Sequence, residues 1–147
     1  MTIRQATTDD LDLVVPLFDD YRQFYGRVSD LALARSFLAE RLLHQQSVIL
    51  LAFDVQQRAV GFTQLFPSFS SASAARIFIL NDLFVVPEMR RRGFGSALLQ
   101  EAAEFARAAS AVRLQLSTAA TNETAQAVYE REGWRRDQTF HVYHFPL

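Results

Sequence analysis

Between Ile77 and Val86 the chain is apolar at every position except Asn81 and Asp82 (IFILNDLFVV), and Pro87 ends the run. An unbroken apolar run of this length predicts a strand buried on both faces. After it the period changes: Leu98, Ala102, Phe105 and Ala109 recur at helical spacing and predict one amphipathic helix. Before it, Ile3 marks a short first strand within Met1–Thr7, and Thr7 or Thr8 caps a helix with Leu11, Val14, Phe18, Tyr21 and Tyr25 on one face, closed by Gly26. Ser29 and Asp30 start a second helix with Leu31, Ala34, Leu38 and Leu42 as its stripe. Ser47–Phe53 and Ala59–Phe66 predict a β-hairpin across the polar turn Asp54–Arg58, and the Ser/Ala-rich Pro67–Ala75 reads as a flexible loop.

Past the long helix, Val112, Leu114 and Leu116 alternate, predicting a strand from Ala111 or Val112 to Ser117. Strand, helix and strand in this span make a βαβ unit with parallel strands. Asn122–Glu132 predicts a short helix ended by Gly133, and Trp134–Pro146 one or two closing strands. No repeat or linker interrupts the 147 residues, so the expectation is one mixed α/β domain over residues 1–147.

Composition narrows the function classes. Thirteen Phe and a 50% hydrophobic content argue for a packed core rather than disorder. A net charge of −1 argues against a general nucleic-acid binder. The chain has no Cys, which excludes disulfides, thiolate metal sites and a cysteine nucleophile. His44, His141 and His144 are too scattered to bind a metal. No apolar run reaches membrane-spanning length and the N-terminus has no signal core, so a soluble, cytoplasmic protein is expected.

The candidate chemistry starts where the apolar strand hands over to the helix. Arg90-Arg91-Arg92-Gly93-Phe94-Gly95-Ser96 lies at that junction. A helix N-terminus presents free N–H groups and favours negative charge, and glycines let a phosphate approach the backbone. The spacing is neither the dinucleotide fingerprint nor a P-loop. Arg90-x-x-Gly93-x-Gly95, after a strand and opening a helix, resembles the pyrophosphate motif of the GNAT superfamily of acetyl-CoA-dependent N-acetyltransferases. Asn122-x-x-Ala125-x-x-x-Tyr129-x-x-x-Gly133-Trp134 resembles a second segment of that superfamily, in the expected order. The predicted element order is similar to the GNAT fold: antiparallel N-terminal strands plus a parallel βαβ core, flanked by helices.

The resemblance implies acetyl-CoA as co-substrate and no metal. It implies that backbone N–H groups of Arg91, Gly93, Gly95 and Ser96 hold the pyrophosphate, with Arg90 to Arg92 adding charge and Phe94 within the same cofactor-binding loop. Leu83 and Val85 are implied to pair with the pantetheine arm where the sheet splays, with Asn122 nearby. Tyr129 is implied as the general acid that protonates the departing CoA thiolate. On the residues alone, Asn122 is equally a helix cap and Tyr129 a core aromatic.

Asp82 is the other catalytic candidate. A carboxylate in an apolar strand is costly unless paired or used, and burial raises its pKa toward that of a working base. The segment Ile79–Val85 resembles the polyamine and histone-type acetyltransferase branch, where an acidic residue here lies beside the acceptor amine; Asn81 is an amide at a position that can be acidic in that branch. The alternative is a buried carboxylate paired with Arg76, Arg113 or a backbone turn. For the acceptor, Asp19, Asp20, Tyr21, Phe24 and Tyr25 offer acidic and aromatic groups suited to a cationic amine, with a merely solvated helix face as the alternative for Asp19 and Asp20. Lacking a cysteine or a G-x-S-x-G elbow, the chain is expected to use direct amine attack in a ternary complex. Polyamine, lysine side chain and aminoglycoside are all compatible acceptors. A CoA-binding sensor or interaction domain is the other class, and an exposed last strand would favour a homodimer.

Overall fold

A computed structural model describes residues Met1–Leu147. The chain runs β1 (Thr2–Gln5), a 3-10 turn (Thr8–Asp10), α1 (Leu11–Phe24), α2 (Leu31–Leu43), β2 (Val48–Phe53), β3 (Ala59–Ser70) and β4 (Ala75–Val85). A second 3-10 turn (Pro87–Met89), α3 (Phe94–Ala108), β5 (Leu114–Gln115) and α4 (Glu123–Arg131) follow. The five strands form one sheet in the order β1-β2-β3-β4-β5, antiparallel except for the parallel pair β4–β5. This mixed α/β sheet matches the architecture expected from the sequence. Packing separates residues Met1–Ser117 from Thr118–Leu147.

In the first unit the pattern of the chain becomes two layers on the sheet. Val14, Phe18, Ala34 and Leu38 from α1 and α2 bury against Ile49, Leu51, Phe62 and Phe84. On the other side α3 sets Leu98, Leu99, Ala102 and Ala106 against β2, β3 and β4. Thr7 opens the first helical segment through a capping box with Asp10. Arg4 donates twice to the same Asp10 carboxylate (2.8 and 2.7 Å), which holds its pKa down at about 2. Gly26, at φ +82°, ends the α1 turn as expected. Leu31, read as part of the α2 stripe, is the first residue of that helix and is exposed.

Three expectations are corrected. The loop expected over Pro67–Ala75 is mostly strand, for β3 runs on to Ser70 and pairs with β4 down to Ser70 opposite Ala75. Pro67 is tolerated because the β2–β3 ladder has already ended at Val48 opposite Leu65, leaving no bond on that side for its missing N–H. The strand expected from Val112 to Ser117 contracts to Leu114–Gln115, with Val112 exposed. The closing strands expected in Trp134–Pro146 are absent: Phe140, Val142, Tyr143 and Phe145 are 76–90% exposed. A strand needs a neighbour to bond with, and no ladder of the sheet reaches this segment.

The second unit is built on α4. Asn122 caps it, its side chain accepting from the Ala125 N–H (3.1 Å). Gly133 turns the chain at φ +90°, and Trp134 packs on Tyr129 with ring centres 6.1 Å apart.

Candidate active site

β4 carries the site, and an irregularity in it decides what faces where. Gln64 lies opposite Asp82 but Leu65 lies opposite Leu80, so Asn81 is an extra residue, a β-bulge. Before the bulge, Phe78 packs edge-on against Phe105 of α3 (5.6 Å). Beyond it, Phe84 belongs to the α1–α2 layer with Phe62. Strict alternation would put Phe78, Leu80, Asp82 and Phe84 on one face. The bulge shifts that parity, and Asn81 and Asp82 both line a cavity of about 270 Å³ under α1.

That cavity is walled by Phe18, Tyr21, Tyr25, Phe37 and Phe66, with Asp82 and Gln64 as polar groups from the sheet and Arg22 and Arg27 from the end of α1 and just beyond. Asp82 is 2% exposed. Its carboxylate accepts from the side-chain amides of Gln64 and of Asn81 (2.9 Å), and from no cation. The pairing with Arg76 or Arg113 considered from sequence is not formed; the Arg76 guanidinium stacks over Phe69 instead (4.8 Å). Burial pushes the Asp82 pKa up, against the opposing hydrogen bonds from Gln64, Asn81 and Tyr21. The Tyr21 hydroxyl also donates to the Asn81 carbonyl (3.3 Å), fixing the bulge to α1.

Of the expected acceptor residues, Tyr21, Tyr25 and Asn81 line this cavity. Asp19 does not. It is 3% exposed, and its carboxylate accepts from Ser29 Oγ (2.6 Å), the Asp30 N–H (2.8 Å) and Gln23 Nε2 (3.1 Å). The Ser29 bond above all holds its pKa down. Asp19 therefore ties the α1–α2 connection to α1, and is neither a solvated face nor a wall of the cavity. Arg22, Arg27 and Gln64 were not singled out in the sequence. Gln64 had a signal, an amide inside the apolar run Val60–Phe66, of the same kind that exposed Asp82. The arginines had none, because charged residues at a helix end are ordinary.

The same strand leads to the glycine loop. Val86 N–H bonds to Val60 C=O across the ladder (2.9 Å). By alternation Phe62 and Phe84 exchange ladder bonds, while Leu83 and Val85 turn their N–H and C=O groups away from β3. On that side β5 pairs with β4 only at Phe78 and Ile79. Leu83 and Val85 thus lie beyond the end of the parallel ladder, and the Val85 carbonyl accepts from Arg90 Nε (2.9 Å). Gly61, opposite Val85, must be glycine: a Cβ there would lie 2.7 Å from the Phe84 oxygen.

In the loop, Arg91 (φ +58°) and Gly93 (φ +87°) are both left-handed, and Gly93 is the N-cap of α3 with no side chain capping it. The Ala97 N–H makes the first helical bond to Gly93 (3.0 Å), so the N–H groups of Phe94 and Gly95 precede the helical ladder and point out of its start. A Cβ on Gly95 would meet nothing within 4 Å. The loop thus has the amides, the open approach and the dipole that a diphosphate needs. Phe94 is buried and contributes backbone only; Arg90 is drawn back to Val85 and lies over Phe24 and Phe84 (5.5 and 5.7 Å).

A strand that runs past its parallel neighbour into a glycine loop at a helix start has the layout that the resemblance implied for an acyl-CoA-dependent transferase. The sequence profile of the acetyltransferase (GNAT) family matches residues 14–134, and the chain belongs to that family. It is similar to the uncharacterized N-acetyltransferase YhfO of Bacillus subtilis (strain 168), at 47% identity over 140 residues, 95% of this chain and 93% of that one. It is also similar to an aminoalkylphosphonate N-acetyltransferase of Salmonella typhimurium, at 33% identity over 134 residues, 91% of this chain and 84% of that one. The crystal structure of a probable acetyltransferase matches with a TM-score of 0.95 at 49% identity, covering 100% of this chain and 98% of that one. The protein is therefore an acetyl-transferring enzyme of a family whose donor is acetyl-CoA. No helix is long and apolar enough to cross a membrane.

Proposed function

We propose that residues 1–147 act as one transferase domain that moves an acetyl group from acetyl-CoA to a primary amine by direct attack in a ternary complex. The observation that carries this is the cation-free burial of Asp82 in the cavity, one residue before the outward-turned backbone of Leu83 on the same strand. The amide groups from Arg91 to Ser96 hold the pyrophosphate, and the Leu83 and Val85 main chain pairs with the pantetheine amides as an added strand would. Asp82, its pKa raised by burial, accepts the proton of the incoming ammonium. The neutral nitrogen attacks the thioester carbonyl, the C–N bond forms, and the C–S bond breaks as the tetrahedral centre collapses. Tyr129 gives its proton to the departing thiolate, and the second proton that the nitrogen sheds as the amide forms returns the phenolate to phenol. Asn81 positions Asp82 through its side-chain amide, and Asn122 supports the α4 start.

Polyamine, lysine side chain and aminoglycoside are the acceptor classes named by the sequence; the case for a cationic amine leaned on Asp19 and Asp20 with Tyr21, Phe24 and Tyr25, and of these the Asp19 carboxylate is committed to Ser29 and Asp30. A CoA-release assay over an amine panel, with calorimetric titration of acetyl-CoA, tests the reading. Thiol release that depends on the amine is expected. Acetyl-CoA binding with no release for any amine would make the protein a CoA sensor instead.

The exposed apolar residues between Phe140 and Phe145 support a homodimer in which a second copy covers them. Light scattering is expected to give twice the chain mass of 16.7 kDa, and a monomer at micromolar concentration would reject it.

A further inference from the structure

We infer that the acceptor carries an anionic group as well as its amine, the anion seated by Arg22 and Arg27 and the amine by Asp82 and Gln64. This rests on the transferase reading and adds the chemistry of the acceptor. The cavity contains two opposed kinds of unmet polar demand. The Arg22 Nη1 atom is buried and donates to no group of the protein. The Gln64 Oε1 atom is buried and accepts from none, because the other end of that amide is spent on Asp82. Buried polar atoms without partners are rare and costly, so an unmet donor and an unmet acceptor lining one cavity define what fills it.

The neighbouring acid does not absorb Arg22. Asp19 feels its charge, but the Asp19 carboxylate is already filled by Ser29, Asp30 and Gln23. Arg27 lines the same cavity and brings a second guanidinium. Two arginines offer forked donors suited to a carboxylate or a phosphoryl-type oxyanion. Asp82 and the Gln64 oxygen offer acceptors suited to an ammonium or amine. Between the two ends the walls are aromatic, and about 270 Å³ is room for a compact molecule. A diamine would place its second cation against two guanidinium groups, which is repulsive.

The test compares amines of matched length. β-Alanine, propylamine and 1,3-diaminopropane form one series; phosphoethanolamine and ethanolamine form another. At saturating acetyl-CoA, the anionic member of each series is expected to have a kcat/KM tenfold to hundredfold above its partners, the range for a charge-assisted pair of hydrogen bonds. Arg22→Gln and Arg27→Gln are each expected to bring kcat/KM for β-alanine and phosphoethanolamine down to the level of propylamine and ethanolamine, with acetyl-CoA affinity within about twofold of wild type. Arg27 is exposed, so its variant reports on the anion even if Arg22→Gln folds poorly. Preference for the diamine, or an equal loss for all amines in the Arg27 variant, overturns the inference and leaves the transferase reading standing. Calorimetry of β-alanine and phosphoethanolamine on the CoA-loaded protein separates the two ideas. Binding abolished by Arg27→Gln supports the anion site even if no amine is acetylated, and no binding of either compound rejects it.

Discussion

Asp82→Asn is expected to lower kcat/KM for the best amine by about a hundredfold or more, the usual range for losing a positioned base, with acetyl-CoA affinity unchanged. The fold should not suffer. Gln64 donates to Asp82 through Nε2 while its Oε1 has no partner, so turning that amide over gives the substituted side chain an acceptor in place of a donor. Stability should even favour the variant as pH rises. The folded-state pKa of Asp82 is raised from 3.8, so below that value the protonated carboxyl is buried at little cost. As pH climbs through the raised value, the folded protein must bury a charge with no cation beside it, and stability is lost. The melting temperature of the variant minus that of wild type is therefore expected to grow from pH 4 to pH 8. In activity, the wild-type kcat/KM should rise with pH along a limb above the ordinary carboxylate range, and that limb should be missing from the variant. Activity within twofold of wild type would remove Asp82 as base; a sharply lower melting temperature at pH 8 would make it a structural group.

Tyr129→Phe is expected to lower kcat by about tenfold to a hundredfold with acetyl-CoA affinity changed less than twofold. The effect is set below that of the base for a chemical reason: a thiol has a pKa near 8.5 and leaves as thiolate with modest help. Phenylalanine keeps the contact with Trp134, so helix α4 should be preserved. Single-turnover experiments decide the case. An unchanged chemical step in the variant would take the proton-donor role away from Tyr129 and leave it as an aromatic that packs on Trp134.

The sequence announced these residues unequally. Asp82 stood out because a carboxylate in an apolar run is expensive, and the glycine loop because its residues have few other uses at a helix start. What the sequence hid was geometry that depends on pairing. Nothing in Leu80-Asn81-Asp82 marks Asn81 as the extra residue; the bulge exists only relative to Gln64 and Leu65 across the ladder. The Ser/Ala-rich stretch after Pro67 looked like a loop because local composition cannot tell that β4 pairs with it as far as Ser70. The alternating Val112–Leu116 and the aromatic tail promised more strand than forms, since alternation describes a surface that can pair and not one that has found a partner. Asp19 misled in the opposite sense: its charge suggested a ligand, and its actual occupation, with Ser29 and Asp30, spans a connection that composition does not resolve.

The supernumerary Asn81 has a consequence for how this strand can change over evolutionary time. Losing that codon would restore one-to-one pairing, Leu80 opposite Leu65 and Asp82 opposite Gln64, so the acid would keep its outlook while losing the amide that holds it and the carbonyl that Tyr21 grips. The chain could thus shed the residue without moving the acid, and what it would give up is the latch between this strand and α1.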